Sequence, residues 1–281
     1  MIDHPDPTTP KDVPKDAPTI VAVSINNTRT HVGLASTVGG QPEIERSRSV
    51  PHAEAAAAVG DLADDAEAVV LATVKPDVSG ALRDELSRTL PRPVLEVHRD
   101  VGVDLKHTLS DASTLGQDRA LNALAAFARV SQACVVIDAG TAITIDFVDG
   151  EGTFHGGMIL PGAQMMLDAL HERTAGLPGL SFGDLPDPLE PFGRETSGAI
   201  FQGVVAAARG SVRYAAERYA EFYGAFAQVI ATGGDANALF GSDELVESIV
   251  PDLTLLGIAE AFRKSLAADD AGSDPSVGDG G

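Results

Sequence analysis

The sequence predicts an α/β fold assembled from two copies of one unit, and three observations carry that prediction. Residues 135–147, Val-Val-Ile-Asp-Ala-Gly-Thr-Ala-Ile-Thr-Ile-Asp-Phe, read as two apolar strands joined by a tight polar turn, because Val, Ile and Thr favour strand conformation. Residues 21–34 repeat the layout of strand, polar turn and strand, with Ser24 standing where the later copy has Asp138. Between and after these hairpins, segments with helical spacing alternate with short apolar runs, the pattern of an α/β chain.

Taken in order, residues 1–18 hold Pro and Asp without apolar periodicity and read as a disordered leader. A first unit, 19–131, opens with a hairpin of strands at 19–24 and 29–35. An Ala-rich helix at 52–66 follows, then short buried strands at 68–72 and 93–97. Residues 119–129 combine apolar positions at helical spacing with many Ala and Leu, which are good helix formers. The second unit, 132–266, begins with the hairpin of 135–147 and adds a third strand at 152–160. Helices are expected at 162–175, with Pro161 near the start where proline is tolerated, and at 197–223. A strand at 228–232 ends on Gly233 and Gly234, and residues 267–281 read as a disordered tail.

Composition bounds the function. A length of 281 residues fits about two domains, and 44% hydrophobic residues are ample for a packed core. No apolar run approaches the roughly 20 residues that cross a bilayer, and the first residues lack the basic and apolar regions of a signal peptide. The expected location is the cytoplasm, with no membrane partner. A net charge of -21 disfavours nucleic acid as a partner, since that binding needs a basic surface. Cys134 is the single cysteine, which excludes an intramolecular disulfide and a Cys-based zinc site; in its apolar run it reads as a buried structural thiol. His107, His155 and His171 lack paired ligand spacing, and the chain has no Gly-x-Ser-x-Gly elbow, P-loop or Gly-x-Gly-x-x-Gly.

The polar turns carry the chemistry. Gly140 lets the backbone approach a ligand where a Cβ would clash, Thr141 and Thr144 offer hydroxyls, and Asp138 can hold a cation that offsets phosphate charge. An ordinary hairpin with Asp and Gly at its turn is the plainer reading of either segment alone. Phosphoryl transfer also needs a group that accepts the nucleophile's proton. Asp118, in Leu115-Gly116-Gln117-Asp118-Arg119, is the candidate base, at the start of a helix whose dipole alone would favour an Asp there. Arg119 reads as a surface cation or ion-pair partner, Thr196 as a helix N-cap, and Gly233-Gly234 as a turn.

The motifs Gly116-Gln117-Asp118-Arg119 and Asp138-Ala139-Gly140-Thr141-Ala142 lie twenty residues apart. His155–Gly162, Thr174–Pro178, Thr196–Gly203 and Ala231–Gly234 follow in order. In these motifs, across residues 20–264, the chain resembles the type III pantothenate kinases, which include the Bvg accessory factor proteins. The resemblance implies duplicated ribonuclease H-like domains of the acetate and sugar kinase, Hsp70 and actin superfamily. It implies ATP-dependent phosphorylation of pantothenate, the first step toward coenzyme A, by a homodimer that uses ATP, magnesium and a monovalent cation, potassium or ammonium. Asp118 then matches the proton acceptor that faces the pantothenate hydroxyl. Gly116, Gln117 and Arg119 match the substrate loop, with the Arg119 guanidinium gripping a carboxylate, and Thr196 matches a substrate-contacting threonine. Asp138 matches the monovalent cation ligand. Thr141 matches an ATP-contacting position, Gly233 and Gly234 pass near the adenosine, and Ser24, Ile25, Asn26, Asn27, Thr28, Arg29, Thr30 and His31 match the first phosphate loop.

Two departures stand out. That loop is usually Asp-x-Gly-Asn-Thr, so Ser24 replaces a carboxylate and Asn26 a glycine. The Tyr and Pro that usually precede Gly-x-Asp-Arg are absent. The departures leave open a catalytically weakened, kinase-like regulatory protein and a kinase for another small hydroxyl substrate.

Overall fold

A computed structural model describes residues 19–38 and 40–272. The expected leader lies outside the described residues, as does the tail beyond residue 272. The first half runs β1 (Ile20–Ile25), β2 (Thr30–Val38), β3 (Gln41–Val50), α1 (Ala55–Ala63), β4 (Ala68–Thr73), α2 (Pro76–Thr89), β5 (Val94–Glu96) and α3 (Gln117–Val130). The second runs β6 (Cys134–Ala139), β7 (Ala142–Val148), β8 (Phe154–Pro161), α4 (Ala163–Arg173), α5 (Thr196–Tyr223), β9 (Gln228–Thr232), α6 (Ala236–Phe240), β10 (Ser248–Ile249) and α7 (Leu253–Gly272).

The duplication is explicit in the sheets. One has the order β3-β2-β1-β4-β5 and the other β8-β7-β6-β9-β10. In each, a three-stranded antiparallel meander lends its first strand, β1 or β6, to a parallel pairing with β4 or β9. Strands β1 and β4 are buried along their whole length, which is why both read as continuous apolar runs rather than as alternating ones.

Helices separate and cover the sheets. Residues of α1 and α2 pack on the outer face of the first sheet, and residues of α4, α5 and α6 on the outer face of the second. Between the sheets lie α3 and α7. Leu121 and Leu124 join Leu255, Ile258 and Phe262 against Ile20, Ala22 and Val70, while Ala123 and Ala126 meet Cys134, Val136 and Leu253. Cys134 is fully buried, and burial pushes its thiol pKa up to about 12, as an inert structural thiol requires.

Here the structure corrects the sequence reading. Residues 267–272 continue α7 instead of starting a tail, and α7 packs on the first half's sheet although it follows the second half in sequence. Its apolar residues point to two different partners, so it lacks the single stripe that marks a surface helix. Strand β3 and helix α2 are additional elements. β3 is a largely exposed edge strand whose Glu43, Glu45, Arg46 and Arg48 hide the strand signal.

The α3–α7 crossing depends on Gly257, where a Cβ would lie 2.2 Å from the Leu121 carbonyl oxygen. Because the obstacle is backbone, the helices would have to part. Gly257→Ala is expected to lower unfolding free energy by about 1–3 kcal/mol. Urea denaturation of wild type and variant measures this, and an unchanged midpoint would show that the two helices have slack.

Candidate active site

The two hairpins place equivalent residues at one cleft. Ser24 is the fifth residue of β1 and Asp138 the fifth of β6, each of which has six residues. Both line a cleft of about 650 Å³, together with Asn26, Asn27, Thr28, Arg29 and His31 from the first hairpin and Gly140 and Thr141 from the second. Gly233, Gly234 and Asp118 also line it. The second turn is tight. Its Gly140 N–H donates to the Ala142 carbonyl (3.0 Å), and a Cβ at Gly162 would strike the Gly140 oxygen at 2.2 Å.

Asp138 is held from behind. Asn122 Nδ2 donates to Asp138 Oδ2 (2.9 Å), and Thr254 Oγ1 donates to Asn122 Oδ1 (2.8 Å). Gly233 closes in from the other side with φ +97°, and a Cβ there would come within 2.6 Å of Asp138 Oδ1. Burial, first, and then the negative charge of Asp118 push the Asp138 pKa up to about 6, against the bond from Asn122, which lowers it. In register on the flanking strands stand Thr144 and Thr232, which also line the cleft. One carboxylate among hydroxyls is an oxygen-only donor set, suited to a hard cation. The first hairpin does not match it. Ser24 brings a hydroxyl, which donates to Asn26 Oδ1 (3.0 Å), and among the described residues no three acidic, His or Cys side chains converge on a metal position. The residues present therefore fit a cation at Asp138 and do not fit a protein-held magnesium at Ser24.

Asp118 is the second residue of α3, and its Oδ1 accepts the Arg119 backbone N–H at 2.8 Å. Gly116 permits this turn, since a Cβ would lie 2.6 Å from Asp118 Oδ1. Gln117 is tied to the first sheet by the Thr73 N–H (3.0 Å). With Ile25 it lines a narrow crevice that shares Ser24, Asn26 and Asp118 with the cleft.

Other expected residues stand apart from the cleft. Arg119 forms a bidentate pair with Asp146 through Nε and Nη2 and lies 5.7 Å from the centroid of the Phe154 ring. The pair keeps the guanidinium charged, chiefly through the Asp146 hydrogen bonds. Thr30 is buried, with Oγ1 2.9 Å from His52 Nδ1. Thr196 is the first residue of α5 and exposed; Glu195 holds the N-cap position, without a side-chain cap, so the N-cap reading of Thr196 fails. Asn122, Asp146 and Thr254 are site residues that motif reading missed. Only Asn122 left a signal, a lone amide inside the apolar run Ala120-Leu121-Asn122-Ala123-Leu124.

Two sheets of matching order, each built on a meander with parallel extensions, and a polar cleft faced by the turns of both hairpins define the duplicated ribonuclease H-like class of the acetate and sugar kinases, Hsp70 and actin. A family model described as type III pantothenate kinase matches residues 20–218. A type III pantothenate kinase of Rubrobacter xylanophilus is 30% identical over 253 residues, covering 85% of this chain and 95% of that one. One from Akkermansia muciniphila is 32% identical over 254 residues, covering 88% and 100%. The crystal structure of a Baf family protein from Campylobacter jejuni shares the fold at a TM-score of 0.59 and 19% identity, covering 88% of this chain and 99% of that one. The chain belongs to the type III pantothenate kinase family.

The raised Asp138 pKa has a stability consequence. Its native value, about 6, exceeds the ordinary 3.8, so the native state favours the neutral carboxyl. That contribution is complete below the unfolded value and is lost as pH rises through about 6. In buffer without potassium or magnesium, Asp138→Asn should gain stability relative to wild type by on the order of 1 kcal/mol between about pH 5 and about pH 7.5. Denaturation at both pH values measures it, and a constant difference would show that Asp138 titrates normally.

Proposed function

We propose that this protein transfers the terminal phosphoryl group of ATP to the primary hydroxyl of pantothenate, the entry step to coenzyme A. The observation that carries the reading is the placement of Asp118 at the start of α3, on the wall of the cleft that both hairpins face. A carboxylate there can orient the substrate hydroxyl and accept its proton as the oxygen attacks the phosphorus. One oxygen is occupied by its own helix start, at Arg119 N–H, which fixes the carboxylate's orientation.

Asp138, with Thr144 and Thr232 beside it, would hold a potassium or ammonium ion, which supplies positive charge near the phosphates when bound. Thr141 and the backbone at Gly233 and Gly234 border the same cleft and would receive the nucleotide. Magnesium would enter with ATP. Arg119 keeps Nη1 free of hydrogen bonds among the described residues, the donor left for the pantothenate carboxylate while Asp146 fixes the rest of the guanidinium.

The active form in this reading is a homodimer. Its support is the exposed aromatic surface of α5 and the turn after it, where Phe222 is 70% and Phe226 75% exposed, on the helix that begins with Thr196. No helix among the described residues is long and apolar enough to cross a membrane, and the charge of -21 argues against nucleic acid; the reading places the enzyme in the cytoplasm. A second reading, a kinase-like regulatory protein with weakened catalysis, draws on Ser24 in the place of a carboxylate.

Purified protein with ATP, magnesium, potassium and pantothenate should form phosphopantothenate, detected by mass spectrometry. Asp118→Asn should lower turnover by about 100-fold to 10,000-fold with ATP affinity nearly unchanged. Turnover close to wild type would remove Asp118 from this role, and absence of product from wild type at high enzyme concentration would favour the regulatory reading.

A further inference from the structure

The two walls of the cleft are copies in backbone and differ in charge. On the second-half side the cleft is lined by Asp138, Asp168 and Asp235, with Asp118 beside them. On the first-half side, three in-register residues form a row across β1, β2 and β3: Ser24 pairs with His31, and His31 with Ser49. All three line the cleft. Arg29 lies at the end of this row, its Nε donating to Ser49 Oγ (2.9 Å) and its Nη2 to the Ser49 carbonyl (2.7 Å). Its Nη1 makes no hydrogen bond among the described residues. The first turn, four residues long where the second has two, is closed by Asn26 N–H on the Arg29 carbonyl (3.0 Å) and so carries Arg29 at its exit.

A guanidinium anchored by two bonds has lost most of its rotamer freedom before any ligand arrives, and its geometry suits phosphate oxygens. His31 complements it. Burial lowers the pKa of the imidazole, opposed by nearby Asp252 and assisted by Arg29, which favours a neutral ring beside the fixed charge. Asp252, which also lines the cleft, accepts the Ser47 hydroxyl at 2.8 Å.

We propose that Arg29, with the Ser24–His31–Ser49 row, grips the terminal phosphates of a nucleoside triphosphate directly, and that this wall takes its positive charge from the guanidinium instead of from a divalent ion held by a carboxylate. The inference rests on the ATP-dependent reading above and gives one residue of the matched phosphate loop a role of its own, setting how the chain binds metal-free nucleotide. Each half then neutralises phosphate in its own way, through a cation at Asp138 on one side and through Arg29 on the other.

The test is calorimetric titration of ATP into the full chain in potassium buffer, once with magnesium and once with a chelator. Wild type should bind metal-free ATP within about fivefold of its affinity for the magnesium complex. Arg29→Ala should weaken ATP by about tenfold or more in both conditions while leaving AMP binding unchanged, a contrast that a merely structural role would not produce. Ser24→Asp, which sets a carboxylate beside His31, should weaken metal-free ATP by about tenfold and make binding depend on magnesium. The proposal is overturned if wild type binds ATP only with magnesium, or if Arg29→Ala binds as wild type does while Asp252→Asn loses the magnesium complex. Absence of ATP binding in every condition would instead overturn the ATP-dependent reading itself.

Discussion

Helix α3 is the constraint on which the site depends. Within its first two turns, Gln117 accepts the Thr73 N–H of the first sheet, Arg119 pairs with Asp146 of the second, and Asn122 joins Asp138 of the second sheet to Thr254 of α7. Three polar side chains thus fix one helix to both sheets, and the residue among them, Asp118, faces the cleft. Buried polar networks stabilise only when every member is satisfied. Among the described residues no buried side-chain nitrogen or oxygen lacks a partner. Rotating α3 by a single residue would break all of these bonds together, so the position of the candidate base is set by the same contacts that set the relation of the halves.

The electrostatics follow from that arrangement. Asp118, Asp138 and Asp146 crowd around the start of α3, and among the described residues only Asp146 of the three has a cationic side-chain partner. Asp138 has an amide partner and like charges nearby, so its burial disfavours the charged form. A buried carboxylate of this kind is the group that a cation would stabilise most. Glycines permit the crowding. At Gly157 a Cβ would lie 2.4 Å from Asp146 Oδ1, and at Gly233 the left-handed backbone lets the turn after β9 close on Asp138.

Much of this was legible in the sequence because it is local. The hairpins at β1–β2 and β6–β7, the parallel strand β9, and α3 and α5 were readable from strand propensity and helical spacing, and the duplicate polar turns pointed to one cleft. The members of that cleft, Ser24, Asp118, Asp138, Thr141 and the Gly233-Gly234 pair, do line it. What sequence could not supply were contacts between distant elements. Thr254 reaches Asn122 across 132 positions, in a helix that no single apolar stripe announces. Arg119 matched the substrate loop, but sequence gave no sign that Asp146, 27 residues on, engages its Nε and Nη2. Thr196 matched a motif, yet it sits exposed at the start of α5, away from the cleft lining.

The claim that α3 sets the site is tested most directly at Asn122, which touches neither solvent nor the proposed nucleotide position. Asn122→Leu keeps the volume and apolar packing of the helix while removing the link between Thr254 and Asp138. The decisive measurement is the ATP affinity of this variant in potassium buffer, alongside its unfolding transition. The account predicts a cooperative fold with ATP affinity reduced by about tenfold, the loss of one hydrogen bond to a buried charged group. An affinity equal to wild type, in a protein that still folds, would contradict it and show that Asp138 keeps its position without α3.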